Sequence, residues 1–277
     1  MGISDIALVN AMAFPVPPVG HECARLRKRK DVVWLGTKSD EQIPCLFITP
    51  KLQGACQPFL LLYSHGNSED LGEGAEYLEY MAAATGCSVL GYEYVGYGVA
   101  SGKPSEKGLY ESADAAYEWA TRPVAEEGLG WPAECIVPFG RSLGSAAAVH
   151  LASAAAVPCA GLLLQSPLMS GAQVLLGRTA ASLLMCVDIF KNYARIQRAR
   201  CAVAIVHGAE DDVVPVSNGR ALAARCAAAR GATCWEIEEF AGRGHNDMEP
   251  ERVLAFAARF LNHLADQHAV RSATGAI

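Results

Sequence analysis

The motif G-R-S-L-G at residues 140–144 constrains the fold of this 277-residue chain more than any other feature. The apolar residues 135–139 before it predict a strand, and the alanine-rich residues 145–152 after it predict a helix. Its two glycines carry no Cβ, so they let the backbone turn sharply between these elements. This G-x-S-x-G pattern predicts a turn that lifts the Ser142 hydroxyl out of the sheet, at the positive end of the helix. Ser142 is therefore our candidate nucleophile.

A serine hydroxyl needs a neighbouring base and an orienting carboxylate to act as a nucleophile at neutral pH. In folds built on this motif the acid follows the serine along the chain, and the histidine comes last. The apolar residues 202–208 predict a buried strand, and three acids come directly after it: Glu210, Asp211 and Asp212. We predict that Asp211 is the orienting acid, with Asp212 as the next candidate.

The base is expected in a late loop. Residues 241–247 form such a loop, because they follow a predicted strand at residues 233–240 and precede a predicted helix at residues 250–263. His245 lies in this loop beside a glycine that suits a tight turn. The alternative is an ordinary solvated histidine, but the order of serine, acid and histidine along the chain favours His245 as the base.

Two backbone N–H groups are expected to stabilise the developing oxyanion. One belongs to Leu143, directly after the nucleophile. The other is expected in the loop after a predicted strand at residues 59–64, and we assign it to Asn67 because Gly66 lets the backbone approach closely. We interpret His65, in the same loop, as a structural residue that closes the loop.

Several further blocks of sequence make the chain resemble the α/β-hydrolase superfamily, and more narrowly the α/β-hydrolase-domain protein depalmitoylases and their microbial relatives. The resemblance runs from about residue 59 to residue 264 and rests, besides the motif at 140–144, on these blocks: S-H-G-N at 64–67, D-L-G at 70–72, Y-V-G-Y-G at 94–98, S-G-K-P-S-E at 101–106, Q-S-P-L at 165–168, S-G at 170–171, H-G at 207–208, E-D at 210–211 and G-H-N-D at 244–247. It implies that Ser142, Asp211 and His245 form the catalytic triad. It also implies hydrolysis of fatty-acyl thioesters on protein cysteines, or of related acyl esters.

Apolar runs that alternate with helical stretches predict an α/β fold with a mostly parallel central sheet flanked by helices. This is also the α/β-hydrolase fold that the resemblance implies. The length fits a single domain, which we place at residues 31–268. An N-terminal extension with a basic run is predicted at residues 1–30 and a tail at residues 269–277. A short apolar lid insertion is predicted at about residues 168–200.

The predicted lid carries apolar side chains that suit an acyl chain better than a polar peptide, because methionine and leucine adapt their shape. We predict that Met169, Leu175 and Leu176 line an acyl groove over Ser142. Tyr97 follows a predicted strand, and we predict that it shapes the wall of the same pocket. The alternatives are that the lid residues pack on the sheet and that Tyr97 belongs to a structural turn.

We therefore predict a serine hydrolase that cleaves acyl thioesters or esters through an acyl-enzyme, acting on an acylated protein or a small acyl ester. The alternatives are a general carboxylesterase or lysophospholipase, and a ligand-binding protein on the same scaffold. We predict no cofactor, and no metal site because His263 and His268 do not share a helix face. A net charge of −6 argues against general nucleic-acid binding.

The ten cysteines show no C-x-x-C spacing, and the N-terminal residues do not form a signal-peptide pattern. We therefore expect reduced thiols and a cytoplasmic location. A dense basic run also predicts peripheral contact with an anionic membrane surface. The run consists of Arg25, Arg27, Lys28, Arg29 and Lys30. The alternative, which we favour, is a solvated loop before the first strand.

Overall fold

The computed structural model describes residues 14, 16, 18–51, 57–67, 69–154, 159–171, 188–229 and 233–274, with the side chains of the last helix as far as residue 269. These residues form an eight-stranded sheet in the order β1-β2-β4-β3-β5-β6-β7-β8. The strands are β1 Val32–Gly36, β2 Gln42–Ile48, β3 Leu60–Ser64, β4 Ser88–Tyr92, β5 Ile136–Arg141, β6 Gly161–Gln165, β7 Ala202–Gly208 and β8 Thr233–Phe240. The described α-helices are α1 His21–Arg25, α2 Leu71–Thr85, α3 Glu106–Thr121, α4 Gly144–Ala154, α5 Asn192–Arg195, α6 Ser217–Ala227 and α7 Pro250–Thr274.

The sheet is mostly parallel. Strand β2 pairs antiparallel with β1 and β4, and every other neighbouring pair is parallel. All residues of β3, β4 and β6 are buried, as expected for parallel strands that are covered on both faces. The predicted α/β fold class, a mostly parallel sheet flanked by helices, is therefore confirmed.

Helices cover the sheet on both faces. Successive side chains of a strand point to opposite faces, so Leu61 packs in one core with α2 and α7, while Leu62 packs in another with α3 and α4. Phe256 and Phe260 of α7 belong to the first core, and Ala147 of α4 belongs to the second. The mouth of the predicted site therefore lies between two layers of helices.

Helix α1 packs against α2. Cys23 and Leu26 are buried in the same core as Leu71 of α2, and a Cβ at Gly72 would collide with the backbone of Cys23. The division of the chain at residue 30 stays a prediction. Among the described residues, none of the helices has both the length and the apolar character required to cross a membrane.

The topology brings the predicted site residues to one edge of the sheet. Asn67, Ser142, Asp211 and His245 follow β3, β5, β7 and β8. The carboxyl ends of parallel strands meet at the same edge, where ligands bind in open α/β sheets. The fold therefore positions residues that lie far apart along the chain next to one another.

Candidate active site

The turn at Ser142 has the geometry that its glycines predict. Ser142 has a φ of 51°, a left-handed conformation that is strained for a residue with a side chain. Its N–H donates to the Gln165 carbonyl at 2.9 Å, which ties the turn to β6. A Cβ at Gly140 would collide with the Gly144 carbonyl, and one at Gly144 would collide with the Ser64 carbonyl. Both positions therefore require glycine because the backbones approach so closely.

His245 lies between the serine and the acid. Its Nε2 is 2.9 Å from Ser142 Oγ, and its Nδ1 is 2.7 Å from Asp211 Oδ2. An ionised carboxylate can only accept hydrogen bonds, so Nδ1 carries the proton and Nε2 is left to accept the Ser142 proton. The structure thus brings together the three residues that the sequence predicts for the triad.

Asp211 is the buried member of the three competing acids, whereas Glu210 and Asp212 are exposed. Its Oδ1 accepts hydrogen bonds from the backbone N–H groups of Val213 at 3.0 Å and Val214 at 2.7 Å. Both carboxylate oxygens therefore have partners, and the side chain is held toward His245.

A second histidine stands beside Asp211. His207 is fully buried, and its Nε2 lies 2.7 Å from the Val214 carbonyl and 3.4 Å from Asp211 Oδ2. Burial by itself raises the pKa of Asp211, but hydrogen bonding to His207 and His245 and to the Val214 N–H outweighs burial and holds the pKa well below its ordinary value. Asp211 is therefore ionised at neutral pH. Sequence reasoning assigned His207 no role, because a histidine at a strand end carries no local signal.

The loop after β3 is held by buried polar contacts. His65 Nε2 lies 2.8 Å from Glu93 Oε1, and His65 Nδ1 lies 2.8 Å from the Gly66 carbonyl. The imidazole also stacks on Tyr94 with 4.2 Å between ring centroids. These contacts fit the structural role predicted for His65, since they fix the backbone just before Asn67.

The two predicted oxyanion donors belong to the loop after β3 and to the residue that directly follows the nucleophile. Asn67 occupies the turn after β3, and its side-chain oxygen accepts a hydrogen bond from the Tyr97 hydroxyl. Leu143 is buried at the entrance to α4, where its carbonyl accepts from the Ala146 N–H at 2.9 Å. Their roles as oxyanion donors stay predictions.

Arg141 connects the two loops that flank the nucleophile. Its guanidinium forms an ion pair with Glu69 and donates to Asn246 Oδ1 at 2.8 Å. Glu69 in turn accepts from the Gly66 N–H at 2.9 Å, in the loop that carries Asn67. Sequence reasoning missed this link, because the partners of Arg141 lie far from it along the chain.

The predicted substrate-binding residues fall into two groups. Tyr97 and Met169 are buried, and Met169 donates its N–H to Asn218 Oδ1 at 3.0 Å. Leu175 and Leu176 lie outside the described residues, as does most of the predicted lid. The substrate contacts of all four stay predictions.

One buried cluster among the described residues contains the donor types that metals use: Cys23, Asp70 and Glu93. Asp70 Oδ1 accepts from the Gly72 N–H and caps α2, while Glu93 Oε2 accepts from the Leu71 N–H. Burial raises the pKa of the Cys23 thiol to about 12, so it is neutral at physiological pH. Because Asp70 and Glu93 accept backbone hydrogen bonds at the first residues of α2, we assign the cluster a structural role at the start of this helix.

No protein-family model matches the chain. Among curated proteins, the chain is similar to alpha/beta hydrolase domain-containing protein 17C of Mus musculus, with 36% identity over 237 residues that cover 84% of this chain and 68% of the relative. It is also similar to alpha/beta hydrolase domain-containing protein aho-3 of Caenorhabditis elegans, with 36% identity over 213 residues that cover 77% of this chain and 59% of the relative. These relatives support a hydrolase.

Among solved structures, the chain is similar to an esterase of Pyrococcus furiosus, with a TM-score of 0.64 and 14% identity over 91% of this chain and 97% of that one. It is similar to an esterase of Thermogutta terrifontis, with a TM-score of 0.64 and 19% identity over 84% of this chain and 93% of that one. At these identities the likeness shows the fold alone. It confirms the predicted α/β-hydrolase fold.

Proposed function

The chain belongs to the alpha/beta hydrolase domain-containing protein 17 family, and from this membership we propose that it is a serine hydrolase that cleaves acyl thioesters or acyl esters through an acyl-enzyme. One observation carries the proposal: the His245 imidazole lies within hydrogen-bond distance of both Ser142 Oγ and Asp211 Oδ2. A base that touches the nucleophile and is oriented by an ionised acid is the arrangement that acyl transfer needs.

In the proposed mechanism, His245 Nε2 takes the Ser142 proton while Oγ attacks the substrate carbonyl. The N–H groups of Asn67 and Leu143 donate to the developing oxyanion, and one such donor is worth about 10²–10³-fold in rate. His245 then protonates the leaving thiol or alcohol, and the acyl group stays on Ser142. A water molecule that gives its proton to His245 attacks the acyl-enzyme and releases the acid.

Asp211 stabilises the imidazolium that forms in each step. Its low pKa supports this role, because the carboxylate stays ionised throughout the neutral pH range. The hydrogen bonds from Val213 and Val214 keep it oriented toward Nδ1. The acid therefore orients the base and balances its charge without taking up a proton itself.

We propose protein S-acyl cysteines as the substrate class, by analogy with the family that the sequence resembles. The decisive experiment compares acyl-cysteine thioesters with oxygen esters across chain lengths from acetyl to palmitoyl, with Ser142→Ala as the control. Preference for long-chain thioesters supports a depalmitoylase-like enzyme. Preference for short oxygen esters would instead indicate a carboxylesterase. If the unmodified protein neither hydrolyses these substrates nor reacts with a fluorophosphonate, the result would contradict a serine hydrolase and favour a ligand-binding protein.

A cytoplasmic location with peripheral membrane contact through the basic run is part of the same proposal. Two arginines of the run already have acidic partners: Arg25 pairs with Glu22 at 2.6 Å, and Arg29 pairs with Asp31 at 2.5 Å. Arg27 donates to a backbone carbonyl at 3.3 Å but is exposed. The charge available to anionic lipid is therefore smaller than the sequence alone suggests.

The exposed Lys28 and Lys30 lie beside strand β1, on which Val33 and Trp34 are 37% and 38% exposed. Successive strand residues point to opposite faces, so Val33 and Trp34 do not share one face of β1. The membrane contact is therefore proposed on the two lysines, each of which contributes about 1 kcal/mol near an anionic membrane.

Liposome co-sedimentation tests the contact. Charge reversal by Lys28→Glu with Lys30→Glu is expected to reduce binding to anionic vesicles. The matched control, Lys51→Glu with Arg122→Glu, changes the net charge equally at exposed sites outside the run. Equal binding by both variants would contradict the proposal.

A further inference from the structure

A cavity of about 290 Å³ lies beside His245, between α2 and the start of α7. Arg141, Gln165 and His245 border it next to the nucleophile, and we call this part its polar end. The rest of the lining combines apolar side chains, among them Leu78 and Val253, with the carboxylates of Glu69, Asp70 and Glu73. We call this cavity the α2–α7 chamber.

The polar end of the α2–α7 chamber adjoins the nucleophile. Arg141 directly precedes Ser142, the Gln165 carbonyl accepts the Ser142 N–H, and His245 Nε2 is 2.9 Å from Ser142 Oγ. The polar end is therefore bordered by His245, the side chain that contacts the reacting oxygen.

The apolar part of the lining comes from strand β3 and from helices α2 and α7. Tyr63 and Tyr77 meet edge to face with 5.8 Å between ring centroids. Leu78 and Val253, from α2 and α7, are almost fully buried. Apolar walls of this kind favour a ligand that loses water contact without needing hydrogen-bond partners.

Gln165 indicates that the polar end of the chamber holds water. Its side chain is buried and borders the chamber, and its Oε1 has no hydrogen-bond partner among the described residues. Buried amide oxygens in native proteins are almost always hydrogen-bonded. An acyl ester or thioester has no hydrogen to donate, so a water molecule beside His245 is the partner that would satisfy this oxygen.

We propose that the α2–α7 chamber is the subsite for the acyl chain of the substrate, an inference that rests on the proposed acyl hydrolase function. A fatty acyl chain ends in a methyl group, so a chamber with apolar walls can hold it, with its carbonyl at Ser142. The leaving group of a protein thioester is a cysteine whose polypeptide continues in both directions and needs backbone hydrogen bonds. The chamber is also distinct from the groove predicted at Met169, because Met169 packs in the core against α6 instead.

Gly74 offers a way to narrow the chamber without straining the fold. It borders the chamber from α2, and a Cβ at this position would meet no atom within 4 Å. Gly74→Leu places a branched side chain in this open space. Gly74→Ala is the matched control, because it removes the same helical glycine but adds little volume.

The test measures kcat/KM for p-nitrophenyl esters from acetate to palmitate in the full-length protein. Gly74→Leu is expected to lower kcat/KM for the long-chain esters by roughly tenfold or more, since one methylene group in an apolar pocket is worth about that factor. Acetate hydrolysis is expected to stay within about twofold, and Gly74→Ala, which adds a single methyl group, is expected to lower the long-chain values much less than Gly74→Leu does.

A second series uses acetate esters of alcohols of increasing length. If Gly74→Leu lowers kcat/KM according to the length of the alcohol rather than the length of the acyl chain, the chamber binds the leaving group and the proposal is overturned. An equal loss at every acyl length, or no loss at all, would also overturn it.

Binding provides a readout that does not depend on turnover. Calorimetric titration with palmitate is carried out in Ser142→Ala, with and without Gly74→Leu. Weaker palmitate binding in the variant that carries Gly74→Leu supports the chamber as the acyl subsite. This result would stand even if the unmodified protein hydrolysed no ester and did not react with a fluorophosphonate. Those two failures would refute the proposed function but not the chamber. Equal binding in both, or no binding in either, overturns the chamber proposal.

Discussion

Replacing Arg141 by lysine keeps the positive charge beside Ser142 but cannot preserve both of its contacts. The guanidinium reaches Glu69 on one side and Asn246 on the other, whereas a single ammonium group lacks this fork. Arg141→Lys is therefore expected to retain one loop contact and lose the other. Arg141→Ala is expected to lose both.

The contacts and the burial of the Arg141 side chain set the size of the expected loss in stability. A hydrogen bond to a charged group contributes about 1.5–3 kcal/mol, and the Arg141 side chain is 18% exposed, which reduces the value. We expect Arg141→Lys to lower the free energy of unfolding by about 1 kcal/mol and Arg141→Ala by about 2 kcal/mol. Because Asn246 adjoins His245, a shift of its loop by about 1 Å would lower kcat/KM by roughly 10²-fold in Arg141→Ala, with a smaller loss in Arg141→Lys.

Chemical denaturation and kcat/KM on a short ester measure the two effects separately, and KM is expected to change little. A double-mutant cycle with Asn246→Ala isolates the link between Arg141 and the histidine loop, because residues in direct contact give non-additive losses. Losses that add fully, or unchanged kcat/KM in both Arg141 variants, would refute a positioning role.

Four further outcomes are expected. Asp211→Asn should lower kcat by roughly 10⁴-fold, measured on a short ester, because the histidine loses its orienting acid. The folded-state pKa of Asp211 lies below its unfolded value of about 3.9, so its ionised form stabilises the fold above that pH and the contribution is lost on acidification. The acid unfolding curves of the protein and of Asp211→Asn should accordingly begin to approach each other below about pH 4 and meet only as the pH falls through the lower folded-state pKa. Gly144→Ala should lower the free energy of unfolding by at least about 1–3 kcal/mol, seen by denaturant titration, because its Cβ collides with the Ser64 carbonyl. Native Cys23 should resist iodoacetamide, followed by mass spectrometry, since its thiol is buried and has a pKa of about 12.

Each of these expectations has a contradicting result. An Asp211→Asn variant with nearly full activity would remove the acid from the mechanism, and acid curves that stay apart would show that its ionisation does not stabilise the fold. A Gly144→Ala variant of unchanged stability would mean that the backbone at the Ser142 turn can move away from the Ser64 carbonyl. Rapid alkylation of Cys23 in the native protein would show that α1 opens readily from α2.

Much of the sheet was predictable from hydrophobic pattern. The strands predicted at residues 59–64 and 202–208 match β3 and β7, because strands buried on both faces are almost continuously apolar. Strand β2 was not predicted. It contains Pro44, and proline weakens a strand signal because it lacks the N–H that a ladder uses.

The sequence by itself determined the sharp turn at Ser142. Residues 140 and 144 must be glycine because backbone atoms lie where a Cβ would stand: those of Gly144 beside Gly140, and those of Ser64 beside Gly144. The spacing of the two glycines around Ser142 therefore predicts the turn from the sequence alone. The order of serine, acid and histidine along the chain likewise follows from the connectivity of the fold.

Only the tertiary structure decided which residues that lie far apart in the sequence come into contact. Three acids follow β7, and Asp211 differs from the other two because it is buried and reaches His245. The partners of Arg141 lie 72 positions before it, at Glu69, and 105 positions after it, at Asn246. The α2–α7 chamber is likewise bordered by two helices that lie far apart along the chain, at residues 71–85 and 250–274. Such contacts are set by how the helices and loops pack on the sheet, and local sequence pattern carries no record of that packing.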